Sequence, residues 1–394
     1  MRFEIAYLPA GGYWSSPFSK WQGTFATLHP VKFAADVTSK GLAARGIAPS
    51  ELDSLVLGWT IPGKRIFYGA PWMAGLIGAP DITGAMLSQA CATSAACLAH
   101  AGGQVEAGGA EATAVVTFDK CSNGAHILYP NPKGPGGKGD SEDWVWDNFS
   151  FDPWAKGSMI QTAENVAAEA GITREEQDAL AQHRYEQYVK GVEAGFQSRY
   201  MLTPYEVNPN GKRVIATVDG DEGVFPTTPE GLAKLRPMMP EGTITFGSQT
   251  HPADGSAGMV VGTKDRMKAY SGGDEPVQLL SYGVARVEKG YMAKAVVPAA
   301  QKALATAGVD VKDCVIKTHN PFAVNDIYMA RELGIEAESF NNNGSSLIFG
   351  HPQGPTGARL IAEGLEEARM NGGGYVLFAG CAAGDTAAAV VLKA

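Results

Sequence analysis

Short apolar runs recur along the chain, each bounded by glycine or polar residues: Leu55-Val56-Leu57, Ala114 to Phe118, Met259-Val260-Val261 and Tyr375 to Ala379. Runs this short and this uniformly apolar predict strands buried on both faces of a sheet. Between them lie Ala-rich amphipathic stretches, Ala95 to Ala107 and Ala358 to Met370, that predict helices. The alternation predicts an α/β fold.

The two ends of the chain repeat one another. Leu42-Ala43-Ala44-Arg45-Gly46-Ile47 is answered by Leu304-Ala305-Thr306-Ala307-Gly308-Val309. Each predicts a helix closed by a glycine in a left-handed cap and followed by an apolar strand, from Leu55 or from Val315. Downstream, Ser88 to Phe118 and Asn341 to Ala379 share one order: polar segment, special turn, Ala-rich helix, strand. Two matches in the same order predict duplicated βα halves related by a pseudo-twofold axis.

The middle breaks this pattern. From Asn123 to Trp154 the composition turns to Gly, Pro, Asp and Trp, and an ordered loop of that length is usually functional. A charged helix, Arg174 to Ala194, and a polar stretch to Pro240 follow. The predicted organisation is an N-terminal half (1–118), an inserted loop domain (119–245), the completion of the first half (246–270) and a C-terminal half (271–394).

Composition works mainly by exclusion. Hydrophobic residues make up 45% of the 394 and charged residues 19%, which excludes a disordered chain. No apolar run reaches the roughly 18 residues of a membrane span, so no membrane partner is expected. The start Met1-Arg2-Phe3-Glu4 lacks a basic-then-apolar leader, which points to a cytoplasmic protein. A net charge of −9 argues against nucleic acid as a partner. The five cysteines, Cys91, Cys97, Cys121, Cys314 and Cys381, show no CxxC spacing, so neither a disulfide framework nor a metal site is expected. Glycine is in excess, with 49 residues, and needs a local explanation.

Three segments carry candidate chemistry. Cys91 precedes an Ala-rich helix, whose N-terminal partial charge lowers a thiol pKa and whose free N–H groups can hold an oxyanion. The plain alternative for Cys91 is a small buried residue, which is how Cys97, Cys121 and Cys314 are read. Gly350-His351-Pro352 is a turn expected to leave His351 exposed at a helix start, where an imidazole suits a general base. Cys381 ends the last strong strand and is followed by the small residues Ala382, Ala383 and Gly384.

Together these segments resemble the thiolase family over essentially the whole chain. The family nucleophile segment corresponds to Cys91-Ala92-Thr93-Ser94, its Gly-His-Pro element to Gly350 through Arg359, and its closing Cys-x-Gly-Gly element to Cys381-Ala382-Ala383-Gly384. The resemblance implies the thiolase fold, two similar βα halves in a layered αβαβα core with an inserted loop domain. It also implies an acyltransferase that cleaves a 3-oxoacyl-CoA with free CoA through an acyl-cysteine. His351 would take the proton of Cys91, the backbone N–H groups of Cys91 and Ala383 would hold the oxyanion, and Cys381 would protonate the leaving enolate. No bound cofactor is implied, coenzyme A being a co-substrate, and a homodimer or dimer of dimers is expected.

Departures from the family pattern bear on the substrate. Where thiolases commonly read Asn-Glu-Ala-Phe, this chain reads His319-Asn320-Pro321-Phe322, similar to sterol-carrier-type thiolases, so that His319 would donate to the thioester directly or through water. Thr245-Phe246-Gly247-Ser248-Gln249-Thr250 and His251-Pro252-Ala253 alter the pocket floor. Thr250, Phe322, Gly350 and Trp154 are the candidate substrate and CoA contacts. Trp144, Trp146, Phe149, Phe151 and Trp154 cluster in the loop domain, where they either line a pocket for a bulky or aryl acyl group, such as a benzoylsuccinyl type, or pack the domain itself. Lys190, Arg199, Lys212 and Arg213 are candidate cations for CoA, or ordinary solvated surface.

The alternatives are an acetoacetyl-CoA-type or sterol-carrier-type thiolase, a cysteine hydrolase, and a non-catalytic scaffold working with a small zinc-ribbon/OB-fold partner subunit. Retention of both Cys91 and Cys381 with His351 disfavours the scaffold.

Overall fold

Every apolar run becomes a strand. The computed structural model describes residues 1–209 and 211–394. Strands β1 (Tyr7–Leu8), β2 (Ser54–Gly58), β3 (Gly84–Leu87), β4 (Ala112–Lys120), β5 (Ala253–Gly262), β6 (Val277–Arg286), β7 (Cys314–His319), β8 (Tyr375–Ala382) and β9 (Thr386–Lys393) pair in the order β7-β8-β9-β6-β1-β5-β4-β2-β3. Two short strands, Tyr13–Ser15 and Ser19–Lys20, add to β5. The halves match: β2 runs parallel to β4 and β7 parallel to β8, and each pair continues into antiparallel neighbours. Two-residue β1 joins them, with Tyr7 opposite Gly262 on β5 and Gln278 on β6.

The principal helices are α1 (Pro30–Ala43), α2 (Thr93–Glu106), α3 (Arg174–Glu193), α4 (Val296–Ala307), α5 (Ala323–Leu333) and α6 (Thr356–Met370). Helix α1 covers β4 and β5 from outside, and α4 covers β6, β8 and β9. Helices α2 and α6 pack on each other and against strands of both halves, which makes them the middle layer of helix, sheet, helix, sheet, helix. The repeated helix ends agree down to the bond. Gly46 and Gly308 have φ of +65° and +72°, and the N–H groups of Ile47 and Val309 reach back to Leu42 O and Leu304 O, each at 3.1 Å.

Helix α6 is amphipathic as expected, but as a middle-layer helix it turns its polar face into the protein, where the polar residues are paired internally. Arg359 meets Asp221 at 2.6 Å and Glu363 at 3.0 Å, Tyr200 Oη donates to Glu363, and Tyr13 Oη donates to Glu366. The Arg359 guanidinium lies over the Phe349 ring and beside that of Phe18, the two rings meeting edge to face.

Within 119–245 lie a hairpin (His126–Tyr129 with Asp140–Asp143), helix α3 and a second strand pair (Tyr205–Val207 with Ala216–Val218). Helix α3 opens with a capping box between Thr173 and Glu176. Buried pairs tie this segment to the core: Asp221 with Arg359, and Arg184 with Asp326 at 2.8 Å. Among the described residues no helix is long and apolar enough to cross a membrane.

Candidate active site

Cys91 sits on a forced turn between β3 and α2. Ala90 adopts φ of +44°, costly for a residue with a Cβ. The Thr93 hydroxyl holds the turn, accepting from Gln89 N–H at 2.9 Å and donating to Ala90 O at 2.6 Å. The thiol is pushed up to about 12 by burial, with the backbone N–H groups of Ala383 and Cys91 itself opposing. The expected lowering by the helix terminus is therefore outweighed: desolvation in an apolar wall costs the thiolate more than a partial charge returns. At rest Cys91 is a thiol and needs a base.

His351 stands beside it, but not exposed as the turn suggested. Only 5% of it is accessible, since the Gly350-His351-Pro352 turn is folded inward: His351 N–H donates to His251 O at 2.9 Å and Pro252 bridges to His351. Gly350 makes this fold-in feasible at φ of +89°, where an added Cβ would lie 2.5 Å from the His251 ring. His351 Nδ1 bonds Thr356 Oγ1 at 2.7 Å, and burial holds its pKa well below the ordinary value.

His319, at the end of β7, stacks on His351 with ring centroids 3.8 Å apart. Burial lowers its pKa to about 3, so it is neutral. Its proton is placed by a chain of partners. Asp326, paired with Arg184, accepts from Asn320 Nδ2 at 2.7 Å, which leaves Asn320 Oδ1 to accept from Ser346 Oγ at 3.0 Å. Ser346 Oγ, its own proton so committed, accepts from His319 Nδ1 at 2.9 Å. The ring thus turns an unprotonated Nε2 toward the cleft. Both His319 Nε2 and His351 Nε2 are buried with no hydrogen-bond partner among the described residues, and one ring nitrogen of each histidine and the Cys91 sulfur lie within 4.8 Å of one another.

Cys381, on β8, is buried and receives a hydrogen bond from Asn325 Nδ2 at 3.2 Å on its sulfur. Burial, then the nearby Cys91, raise its pKa well above that of a free thiol. The chain leaves β8 at Ala383, whose N–H faces the Cys91 sulfur. Cys91, His351, His319, Cys381 and Ala383 are thus brought together from four separate loops and strand ends.

The remaining candidates divide. Thr250 N–H donates to Pro321 O at 2.7 Å and Gln249 bridges to buried Phe322, so Thr250, Phe322 and Gly350 form the wall around the two histidines. Trp154 does not join them. It is 64% exposed, and its ring flanks Arg286 and Lys289 at the hairpin beyond Cys381. Trp144 donates to Thr60 O, and Trp146 packs edge-on against Trp21 and Phe149. Trp144, Trp146 and Phe149 thus pack the loop segment. Arg199 is drawn to Glu366 at 3.5 Å, while Lys190, Lys212 and Arg213 are exposed.

Sequence reasoning passed over Asp119, Asn325, Ser346 and Thr356. Asp119 is buried behind the site and accepts four hydrogen bonds of 2.8–2.9 Å, from Thr60 N–H, Thr60 Oγ1, Ile61 N–H and Gly354 N–H. It fastens the loop after β2 to the turn after His351, with burial raising its pKa to about 7. An acidic residue closing an apolar strand run, and Asn325-Asp326 inside an apolar helix start, were the available signals.

The profile of the thiolase N-terminal domain matches residues 14–265, and that of the thiolase C-terminal domain matches residues 275–394. An acetyl-CoA acetyltransferase of Syntrophomonas wolfei is 28% identical over 397 residues, covering 96% of this chain and 97% of its own. The human mitochondrial 3-ketoacyl-CoA thiolase is 26% identical over 386 residues, 96% of each chain. The crystal structure of human mitochondrial 3-ketoacyl-CoA thiolase in complex with CoA superposes with a TM-score of 0.89 at 24% identity, over 99% of this chain and 98% of that one. With both domain profiles matched end to end on a layered fold of two equivalent halves, the chain belongs to the thiolase family of acyltransferases.

Proposed function

We propose that the chain is a CoA-dependent thiolase that cleaves a 3-oxoacyl-CoA by a retro-Claisen reaction. The observation that carries this is the convergence of two thiols and a neutral histidine, Cys91, Cys381 and His351, on one cleft. His351 Nε2 takes the proton of Cys91 as the sulfur attacks the 3-oxo carbon. The N–H groups of Cys91 and Ala383 hold the oxyanion. When the C2–C3 bond breaks, Cys381 protonates the acyl-CoA enolate and becomes a thiolate. That thiolate takes the proton of incoming CoA, whose sulfur resolves the acyl-Cys91 thioester, and His351 returns its proton to Cys91. His319, with its proton on Nδ1, acts on the thioester oxygen through a bridging water.

The acyl group is a bulky or aryl one, of the benzoylsuccinyl kind. Support comes from the altered floor at Thr250 and His251 and from exposed Phe246 on the segment just before Thr250. The segment 119–245 forms the wall over the acyl and pantetheine groups, and Lys190, Lys212 and Arg213 are its free cations for phosphate. Assembly as a homodimer or dimer of dimers is favoured by the part-exposed edge strand β3 with exposed Met86, Phe67 and Tyr68 nearby.

The test is to incubate the purified chain with labelled acyl-CoA and locate the label by peptide mass spectrometry. Label on Cys91 that is released by free CoA supports thiolysis. Release by water instead supports a hydrolase, and no labelling without an added partner subunit supports the scaffold. Full turnover of acetoacetyl-CoA with none of an aryl-3-oxoacyl-CoA would sink the substrate assignment.

A further inference from the structure

A cavity of about 570 Å³ opens between the start of α1, the loop after β2 and the segment after β4. None of Cys91, His319, His351 or Cys381 lines it, so it is separate from the candidate active site. We propose that it binds a small organic phosphate, a phosphomonoester with a short apolar body.

Charge is the first argument. Lys64 and Lys120 line the cavity, and among the described residues its lining holds no acid. In a chain of net charge −9 such an unbalanced cluster is a local exception. The surplus is felt at His29, also in the lining: burial, and then Lys32, Lys120 and Arg65, lower its pKa against the opposing Lys64 carbonyl. Lys120 Nζ donates to Ala26 O at 2.7 Å and to Ser122 O at 2.6 Å, which leaves one N–H for a ligand. Asp254, opposite Lys120 on β5, is the acid that acts on it, but it is fully buried and its Oδ1 accepts from Ser122 N–H.

Geometry is the second. His29 is the N-cap of α1 yet makes no side-chain cap bond, Pro30 opens the helix, and the first turn holds no acid. The backbone N–H groups of that turn are left for another acceptor, and a helix start favours a phosphoryl group. His29 Nε2 faces Lys64 O at 3.0 Å, so it carries the ring proton, while Nδ1 is buried with no partner among the described residues. That lone pair can accept from the P–OH of a phosphate monoanion, a bond that a carboxylate cannot offer. The rest of the lining is largely apolar, with Leu28, Ile61, Pro62 and Ile127. A lined volume of this size suits a small organic molecule rather than a bare ion.

The test reads binding without turnover and so stands apart from the thiolase assignment. The full-length protein at low salt is titrated calorimetrically with phenyl phosphate, inorganic phosphate and benzyl alcohol. Phenyl phosphate should bind saturably, one per chain, with inorganic phosphate weaker by about 10-fold or more and benzyl alcohol not binding. Saturating CoA should leave the phenyl phosphate affinity within about 3-fold, since the two occupy different sites. Lys64→Glu should weaken phenyl phosphate by about 10-fold or more. No saturable binding, equal affinity for the two phosphates, benzyl alcohol binding as tightly as phenyl phosphate, displacement by CoA, or unchanged affinity in Lys64→Glu each overturns the proposal. If Lys64→Glu fails to fold by circular dichroism, Lys64→Ala takes its place with an expected loss of about 3-fold or more, and the wild-type titration with and without CoA still decides.

Discussion

The rings of His319 and His351 lie 3.8 Å apart, centroid to centroid, with planes only 24° from parallel. Two buried imidazoles this close cannot both be cations, because repulsion adds to the desolvation that already disfavours either charge. The pair therefore takes up one proton at a time. That suits the roles proposed for the pair, one ring receiving the Cys91 proton and the other acting at the thioester.

The two rings should separate by experiment. His351→Ala is expected to lower both thiolysis and the rate of Cys91 alkylation by iodoacetamide at neutral pH. His319→Ala is expected to lower thiolysis about 10²–10³-fold while alkylation stays within about 3-fold of wild type. Equal loss of alkylation in both variants would reverse the assignment of the base.

Acid should weaken the fold through the same residues. An unfolded histidine titrates near 6.5, whereas burial lowers His319 to about 3. Above 6.5 both states are neutral and this contribution to stability is complete. As pH falls from 6.5 toward 3, the unfolded chain takes up a proton that the fold refuses, so stability is lost over that window. The slope is about 1.4 kcal/mol per pH unit for each such histidine. Urea unfolding of wild type and His319→Gln at fixed protein concentration, from about pH 4.5 to 6, should show a shallower slope in the variant by that amount. Identical slopes would mean that His319 is not neutral in the fold.

Asn325 is the hydrogen-bond donor recorded on the Cys381 sulfur. When Cys381 gives up its proton, this bond strengthens because it then meets a thiolate. Asn325→Ala should reduce kcat and the rate of Cys91 acylation by a labelled 3-oxoacyl-CoA together, by about 10-fold or more, while leaving Cys91 alkylation by iodoacetamide intact. A fall in alkylation equal to the fall in kcat would mean that Asn325 acts through Cys91 and not through Cys381.

Arg359 belongs to stability rather than chemistry. It is fully buried between Asp221 and Glu363, so Arg359→Ala leaves two carboxylates without their cation. The expected loss is about 3–5 kcal/mol, seen as a large fall in the thermal midpoint, with the loop around Asp221 becoming protease-sensitive. A variant of wild-type stability would show that the carboxylates are held protonated.

Much was legible before any coordinates. Buried strands announce themselves as short unbroken apolar runs because both faces must shed water, and Gly46 and Gly308 betrayed the duplication because a left-handed cap tolerates little else. The candidate site segments were readable for a similar reason: Gly350 and the small residues after Cys381 mark places where backbone approaches other groups closely. What local sequence could not convey was solvent access. His351 looked exposed and α6 carries a polar face, yet the middle layer between two sheets buries both.

The sequence by itself determined the α/β alternation, the duplicated halves and the family, and it put forward Cys91, His319, His351 and Cys381 as candidate site residues. Only the tertiary structure decided their chemical state. Burial between the sheets keeps Cys91 a thiol and both imidazoles neutral, and the chain from Arg184 through Asp326, Asn320 and Ser346 turns the lone pair of His319 inward. These depend on desolvation and on partners remote in sequence, which the order of residues along the chain does not display.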